Sequence, residues 1–201
     1  MRGRDGAHFN LLVSCSWGAH GRAKAEILKV LKAMGDASPL VERTTARGVI
    51  GVRTSLEPRR VVKELQALWD RDPLSLQDTC KWVPVDLWTD TDLDRMREAV
   101  AGLRNRIGEG ETWRMTVEKR RYPRHHKSEI IAALAEVIDR KVDLTNPDKV
   151  LRVDIIGSQV GMSVLGSGEM FSVVKPRPRA GGAAGLTPPE SDREGAAPAP
   201  P

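Results

Sequence analysis

Between residues 119 and 127 the chain reads "KRRYPRHHK", placing Lys119, Arg120, Arg121, Arg124 and Lys127 with His125 and His126 in nine positions. Such a run is either a solvated surface stretch or a phosphate-binding site. Its position favours the second reading. Residues 112–120, "TWRMTVEKR", alternate like a half-buried strand, and Tyr122-Pro123 breaks that pattern. An amphipathic helix follows from about His125 or Ser128, with Ile130, Ile131, Leu134, Val137 and Ile138 on one face. Cations at a helix N-terminus oppose the helix dipole and repel one another, so folding alone gains nothing from them. A bound phosphate reverses the sign, because the free N–H groups there favour an anion by roughly 0.3–1 kcal/mol.

The charge is focused in this turn. The chain has 201 residues and a formal charge of +5, but residues 79–176 hold 16 basic side chains against 15 acidic ones. A net positive patch in a nearly neutral segment is what electrostatic binding of a polyanion requires. Aromatic residues make up only 4%. A nucleic-acid binder of this composition would lean on phosphates and shape more than on base stacking.

Other chemistries find little support. There are only four histidines, and no GxSxG-type turn surrounds any serine. The glycine-rich stretch "GSQVGMSVLGSGE" (157–169) lacks the lysine of a phosphate loop and alternates like a hairpin. His125 and His126 are neighbours, so on a helix they diverge by roughly 100°, and no third ligand is close in sequence. Cys15 and Cys80 form no CxxC motif, which argues against a zinc site or a disulfide framework and suits a reducing cytosol. No run of 18 apolar residues and no signal-peptide core points to a membrane or to export. No catalytic residue, metal ligand or cofactor is assigned on these grounds.

The elements that must position the turn read as two α/β units. In the first, "HFNLLVSC" (8–15) suits a buried strand, and residues 21–34 carry Ile27, Leu28, Leu31 and Met34 at helical spacing. "LVERTT" and "GVIGVRT" form two strands about a turn at Ala46-Arg47-Gly48. Pro58 opens a helix whose face is Val61, Val62, Leu65, Leu68 and Trp69. One further strand within "CKWVPVDLW" (80–88) completes a ferredoxin-like βαββαβ order, and it could belong to this unit or bridge to the next. The second unit opens with Thr89 to Asp92 as helix-capping residues. A stripe of Leu93, Met96, Val100, Leu103 and Ile107 follows. It closes with a hairpin, "VLRVDIIG" and "VGMSVLG", turning at Gly157-Ser158-Gln159, and "EMFSVVK" can add a last strand. After Lys175 the chain is rich in Pro, Gly and Ala and is expected to be disordered.

This order of elements, with "RRYPRHHKSEII" and "DLTNPDKVLRVDI" (143–155), resembles the THUMP domain found in thiouridine synthases, tRNA methyltransferases and pseudouridine synthases. The resemblance implies an α+β protein with a ferredoxin-like domain over 1–78, a THUMP domain over 79–176 and a tail over 177–201. Only that tail follows, so the chain further resembles the stand-alone family of the yeast tRNA acetylation factor. That likeness implies a cytoplasmic adaptor without catalysis of its own. It would hold the acceptor-stem end of tRNA for an RNA cytidine acetyltransferase that makes N(4)-acetylcytidine in the D-arm region. The alternative is a THUMP subunit serving a methyltransferase or thiouridine synthase. The tRNA contacts that the resemblance carries over are Lys119, Arg120, Arg121, Arg124, His125, His126 and Lys127, with Arg114 one strand turn upstream and Ser158 and Gln159 at the hairpin tip.

Overall fold

The computed structural model of the protein describes residues 9–173. The expected tail lies outside them, as does His8 at the start of the first expected strand.

The first sheet is built as its sequence pattern predicts. Strand β1 (Leu11–Cys15) leads through helix α1 (His20–Ala33) to β2 (Leu40–Arg43) and β3 (Val49–Arg53). Helix α2 (Pro58–Arg71) then returns the chain to β4 (Thr79–Pro84). The Glu57 carboxylate accepts the Arg59 and Arg60 N–H groups at 3.0 and 2.6 Å, so a cap and a proline together set the start of α2. The strands order as β2-β3-β1-β4, all antiparallel, with β9 (Phe171–Ser172) added beside β4. Both helices cover one face, over a core that includes Leu11, Val13, Ile27, Leu31, Leu65, Trp82 and Phe171.

The second sheet holds β5 (Leu87–Asp90), β6 (Trp113–Arg120), β7 (Lys149–Ile156) and β8 (Gln159–Leu165) in the order β5-β8-β7-β6. Helix α3 (Leu93–Leu103) is capped by the Asp92 carboxylate, which accepts from Asp94 N and Arg95 N. Helix α4 (Lys127–Ala135) makes the crossover that lets β6 and β7 run parallel, from Trp113 opposite Lys149 to Arg120 opposite Ile156. Met96, Val100, Ile130 and Leu134 of these helices pack on Val117, Leu151, Val153 and Ile155 of the sheet. Both helices end earlier than their stripes suggest. A 3₁₀ turn (Arg104–Arg106) takes over from α3, and Ile138 N bonds back to Ala135 O after α4. Ile107 and Ile138 remain buried, so the hydrophobic stripe continues while the helical hydrogen bonding does not.

The stretch expected as one strand over 80–88 is two strands in two sheets. Val85 N donates to Asn10 O beside β1, and Asp86 N, one residue on, donates to Met162 O of β8. Pro84, without an N–H, ends the first ladder, and the chain changes sheets at the next peptide. Sheet membership therefore differs from a division after residue 78, because β4 and β9 both lie in the first sheet. The two sheets meet on faces that their helices leave bare. Leu12, Ala46, Val49 and Val83 pack there with Val85, Ile156 and Leu165, and Trp88 covers them.

Candidate nucleic-acid interface

The basic turn sits at the C-terminal end of β6, the edge strand of the second sheet. Gly157 N donates to Arg120 O at 3.0 Å, which fastens the turn to the β7–β8 hairpin. Arg121 then takes φ +58°, a left-handed conformation that costs a non-glycine residue roughly 1–2 kcal/mol, and this residue reverses the chain. Tyr122 is buried and its hydroxyl donates to Thr91 O at 3.2 Å, ahead of α3. The turn is therefore anchored at both sides of its sharpest bend, and its exposed cations stand on a fixed frame.

The cations divide into two groups. Lys119 is used inside the turn: its ammonium donates to the His125 carbonyl and lies 6.0 Å from the Tyr122 ring centre. Arg120 is half-buried, with Nη1 3.6 Å from Asp154. Behind it Arg152, itself buried, holds the buried Asp154 in a bidentate pair at 2.6 and 2.9 Å. Lys81 of β4 reaches this cluster. Burial first, and then the Arg152 guanidinium, push its pKa down. Arg121, Arg124, His126 and Lys127 are exposed. Among the described residues Lys127 has only a long contact to Glu118, at 3.9 Å. His125 is half-buried, its ring 6.1 Å from that of Tyr122.

One feature of α4 tempers the anion site expected at its start. The Glu129 carboxylate accepts from His126 N at 2.9 Å, and this bond, with the charges of His126 and His125 beside it, holds its pKa below the usual range. The helix thus brings one anion of its own, and its start is not an open row of N–H groups.

Not every expected contact residue comes to this place. Ser158 does: it is exposed at the hairpin tip beside Arg120 and Gly157. Gln159 lies on the far side of that tip, its amide donating to Asp90 at 2.7 Å. Arg114 shares the Arg120 face of β6 but sits six residues away, about 20 Å along the strand. Its guanidinium donates to Leu144 O, beside the "DLTNPD" loop. Alternation placed Arg114 on the correct face, but only the strand length shows how far it is from the turn.

Sequence reasoning missed the other wall of the site. Arg121 Nη1 lies 3.5 Å from Thr45 O in the β2–β3 turn of the first sheet, and a Cβ on Gly157 would come within 3.0 Å of Thr45 Oγ1. Arg43 and Arg47 flank this contact, both exposed and without a carboxylate partner among the described residues. No spacing in the sequence links residues 43–47 to residue 121. Among the described residues no group of three or more His, Cys, Asp or Glu side chains is placed to hold a metal ion, and no helix is long and apolar enough to cross a membrane.

The molecule is a βαββαβ sheet joined to a mixed sheet, with a cationic turn at their junction. Residues 90–165, from the end of β5 to the end of β8, match the THUMP domain family. No curated protein sequence matches the chain. The fold is similar to that of PH1313 from Pyrococcus horikoshii, with a TM-score of 0.58 at 14% identity over 77% of this chain and 53% of that one. It is also similar to TrmN from Thermus thermophilus, at 0.52 and 13% over 77% and 44%. A third similar structure is described as a predicted N6-adenine-specific DNA methylase from Listeria monocytogenes, at 0.51 and 13% over 78% and 40%. The chain spans about half or less of the length of each.

Proposed function

We propose that this chain binds tRNA and presents it to a separate modifying enzyme, an RNA cytidine acetyltransferase that forms N(4)-acetylcytidine in the D-arm region. The observation that carries this reading is the basic turn at residues 119–127. Arg121, Arg124 and Lys127 project from a frame fixed by Tyr122 and Gly157, at one end of a THUMP domain. Contacts of this kind recognise phosphates and helix shape, with little base readout, so the choice of target base falls to the partner enzyme. In this reading the chain itself has no catalytic residue. A second reading is a subunit serving a methyltransferase or thiouridine synthase; its support is a fold similar to that of the structure described as a predicted N6-adenine-specific DNA methylase.

The test is tRNA affinity across a salt series for the wild type and for a variant with Arg120, Arg121, Arg124 and Lys127 changed to Ala. Removing one cation from a phosphate lowers the slope of log affinity against log salt by about 0.7–0.9, so the variant loses up to about three units of slope together with its affinity. Equal binding by both proteins would sink the site assignment. Mass analysis of tRNA from cells lacking the chain separates the two readings: loss of N(4)-acetylcytidine supports the acetyltransferase, and loss of a methylated or thiolated base supports the alternative.

A further inference from the structure

Cys15 and Cys80 are the only cysteines of the chain, and they stand far apart in sequence. The fold brings them together. Cys15 ends β1, and Cys80 lies near the start of β4, its antiparallel neighbour. Val13 and Trp82 face each other across this pair of strands, within the core beneath α1 and α2. Cys15 and Cys80 pack against that same core, so both lie on one face of the sheet, and both are half-buried. The ladder slips between them. Ser14 faces Lys81 but Cys15 faces Thr79, which leaves Cys80 as the extra residue of a β-bulge, a device that re-aims a side chain. Ser16 Oγ, one residue beyond Cys15, lies 3.9 Å from Cys80 Sγ.

The bulge is held from behind. The Glu26 carboxylate of α1 accepts Gln77 N at 2.7 Å, Asp78 N at 3.0 Å and Thr79 N at 2.9 Å, and Thr79 Oγ1 donates to it at 2.7 Å. Thr79 Oγ1 also receives Trp82 Nε1 at 3.0 Å. Val173 N donates to Cys80 O at 2.9 Å, and Cys15 N donates to Gly48 O at 3.0 Å, so the outer neighbours of both strands fix the two cysteine backbones. Facing residues on antiparallel strands have Cα atoms about 4.5–5.5 Å apart, inside the range of about 4.4–6.8 Å that a disulfide spans. Burial, and then the charges of Cys80 and Asp78, push the Cys15 thiol up. Cys15 is therefore a poor first nucleophile and suits the second, resolving step of an exchange.

We propose that Cys15 and Cys80 are a cross-strand dithiol, a modification site that a low-molecular-weight disulfide oxidises reversibly to an intramolecular disulfide. With glutathione disulfide as the oxidant, the Cys80 thiolate attacks one of its sulfurs, forms a mixed disulfide and releases one glutathione. The Cys15 thiolate then attacks the Cys80 sulfur and displaces the second glutathione. One S–S bond forms in the protein as one breaks in the oxidant, two electrons pass to glutathione, and the two thiol protons end on the two glutathione molecules. In a reducing compartment the pair rests as two thiols and closes only when the oxidant rises. Closure joins the root of the β1–α1 loop to the root of the α2–β4 loop across the whole segment between them, which stabilises the folded state. The inference is independent of the RNA-binding reading.

The experiment equilibrates reduced full-length wild type, C15S and C80S with glutathione and glutathione disulfide over a range of ratios, in native buffer and in urea. Samples are quenched with acid, alkylated with N-ethylmaleimide and weighed intact. The wild type is expected to convert to an unalkylated monomer two hydrogens lighter, which dithiothreitol returns to the dithiol. C15S is expected to accumulate a glutathione adduct on Cys80, and C80S to gain its adduct more slowly. Because the fold presents the two thiols to each other, the closure constant of the wild type should be about tenfold or more larger in native buffer than in urea. The oxidised wild type should also melt at a higher temperature than the reduced protein, while neither serine variant shifts with the glutathione ratio in this way. If the native wild type carries glutathione adducts without closing, or links two chains, the dithiol assignment is overturned. Equal closure constants in native buffer and in urea overturn it as well, since any two cysteines of a flexible chain would then do the same. An adduct that forms on C80S as fast as on C15S overturns the order of attack.

Discussion

Arg59 of α2 lies 2.8 Å from the carboxylate of Asp86, the residue at which the chain changes sheets. The same carboxylate takes Arg106 of the second unit at 2.8 Å and Val164 N of β8 at 3.0 Å. Arg59 also donates to Val164 O at 3.0 Å. A nearly buried anion thus receives a guanidinium from each unit, beside the apolar contact of Leu12, Val83 and Leu165. This cluster helps set how the two sheets lie, and through them how the β2–β3 turn faces the basic turn.

Asp86→Ala takes the carboxylate from Arg106 and from Val164 N, while Arg59 keeps Val164 O and Glu169. Exposed pairs contribute about 0–1 kcal/mol and loss of one partner from a fully buried pair costs about 3–5 kcal/mol. With Arg59 and Arg106 partly exposed, a loss of about 2 kcal/mol is expected in urea unfolding. Asp86→Asn keeps an acceptor for Val164 N and should lose about half as much. Equal losses in the two variants would show that the site needs the charge and gains nothing from the remaining acceptor.

Arg121 separates backbone strain from binding. Arg121→Gly and Arg121→Ala both remove the cation, so both weaken tRNA binding to the same extent. Only Gly relieves the positive φ, so the Gly variant is expected to be more stable than the Ala variant by about 1 kcal/mol, read as a difference in melting. If the two variants melt together, the turn does not hold that conformation in solution.

Asp36 governs part of the acid stability. Burial pushes its pKa up. Hydrogen bonds from Thr54 Oγ1 at 2.5 Å, Ser55 N at 3.0 Å and Ser38 N at 3.1 Å outweigh that and hold it below the ordinary carboxylate value. A folded-state pKa below the unfolded one stabilises above the unfolded pKa, about 3.9, and that contribution is lost as pH falls through the folded value. Asp36→Asn is therefore expected to be less stable than the wild type at pH 7, with the gap closing below about pH 4. A gap that stays constant from pH 7 to pH 3 would rule this out.

Local pattern was enough to place the helices and most of the strands. The i, i+3, i+4 stripes of α1 and α3, the proline at the start of α2 and the alternation of β6 are short-range signals, and a chain that must bury apolar surface obeys them. The basic turn was legible for the same reason, since its cations lie within nine consecutive residues. Other features depend on contacts between residues far apart in sequence. Nothing local shows that the ladder ends at Pro84 while Asp86 is claimed by Arg59 and Arg106, so 80–88 reads as one strand. Spacing alone does not reveal that Lys119 is consumed inside the turn, that Arg114 is stranded at the other end of β6, or that Thr45 of the first sheet comes up against Arg121. The sequence by itself determined the element types and the cationic turn, because propensity and periodicity act over a few residues. Tertiary structure decided which cations remain free and what they face, because side-chain pairing and burial are settled only when distant strands meet.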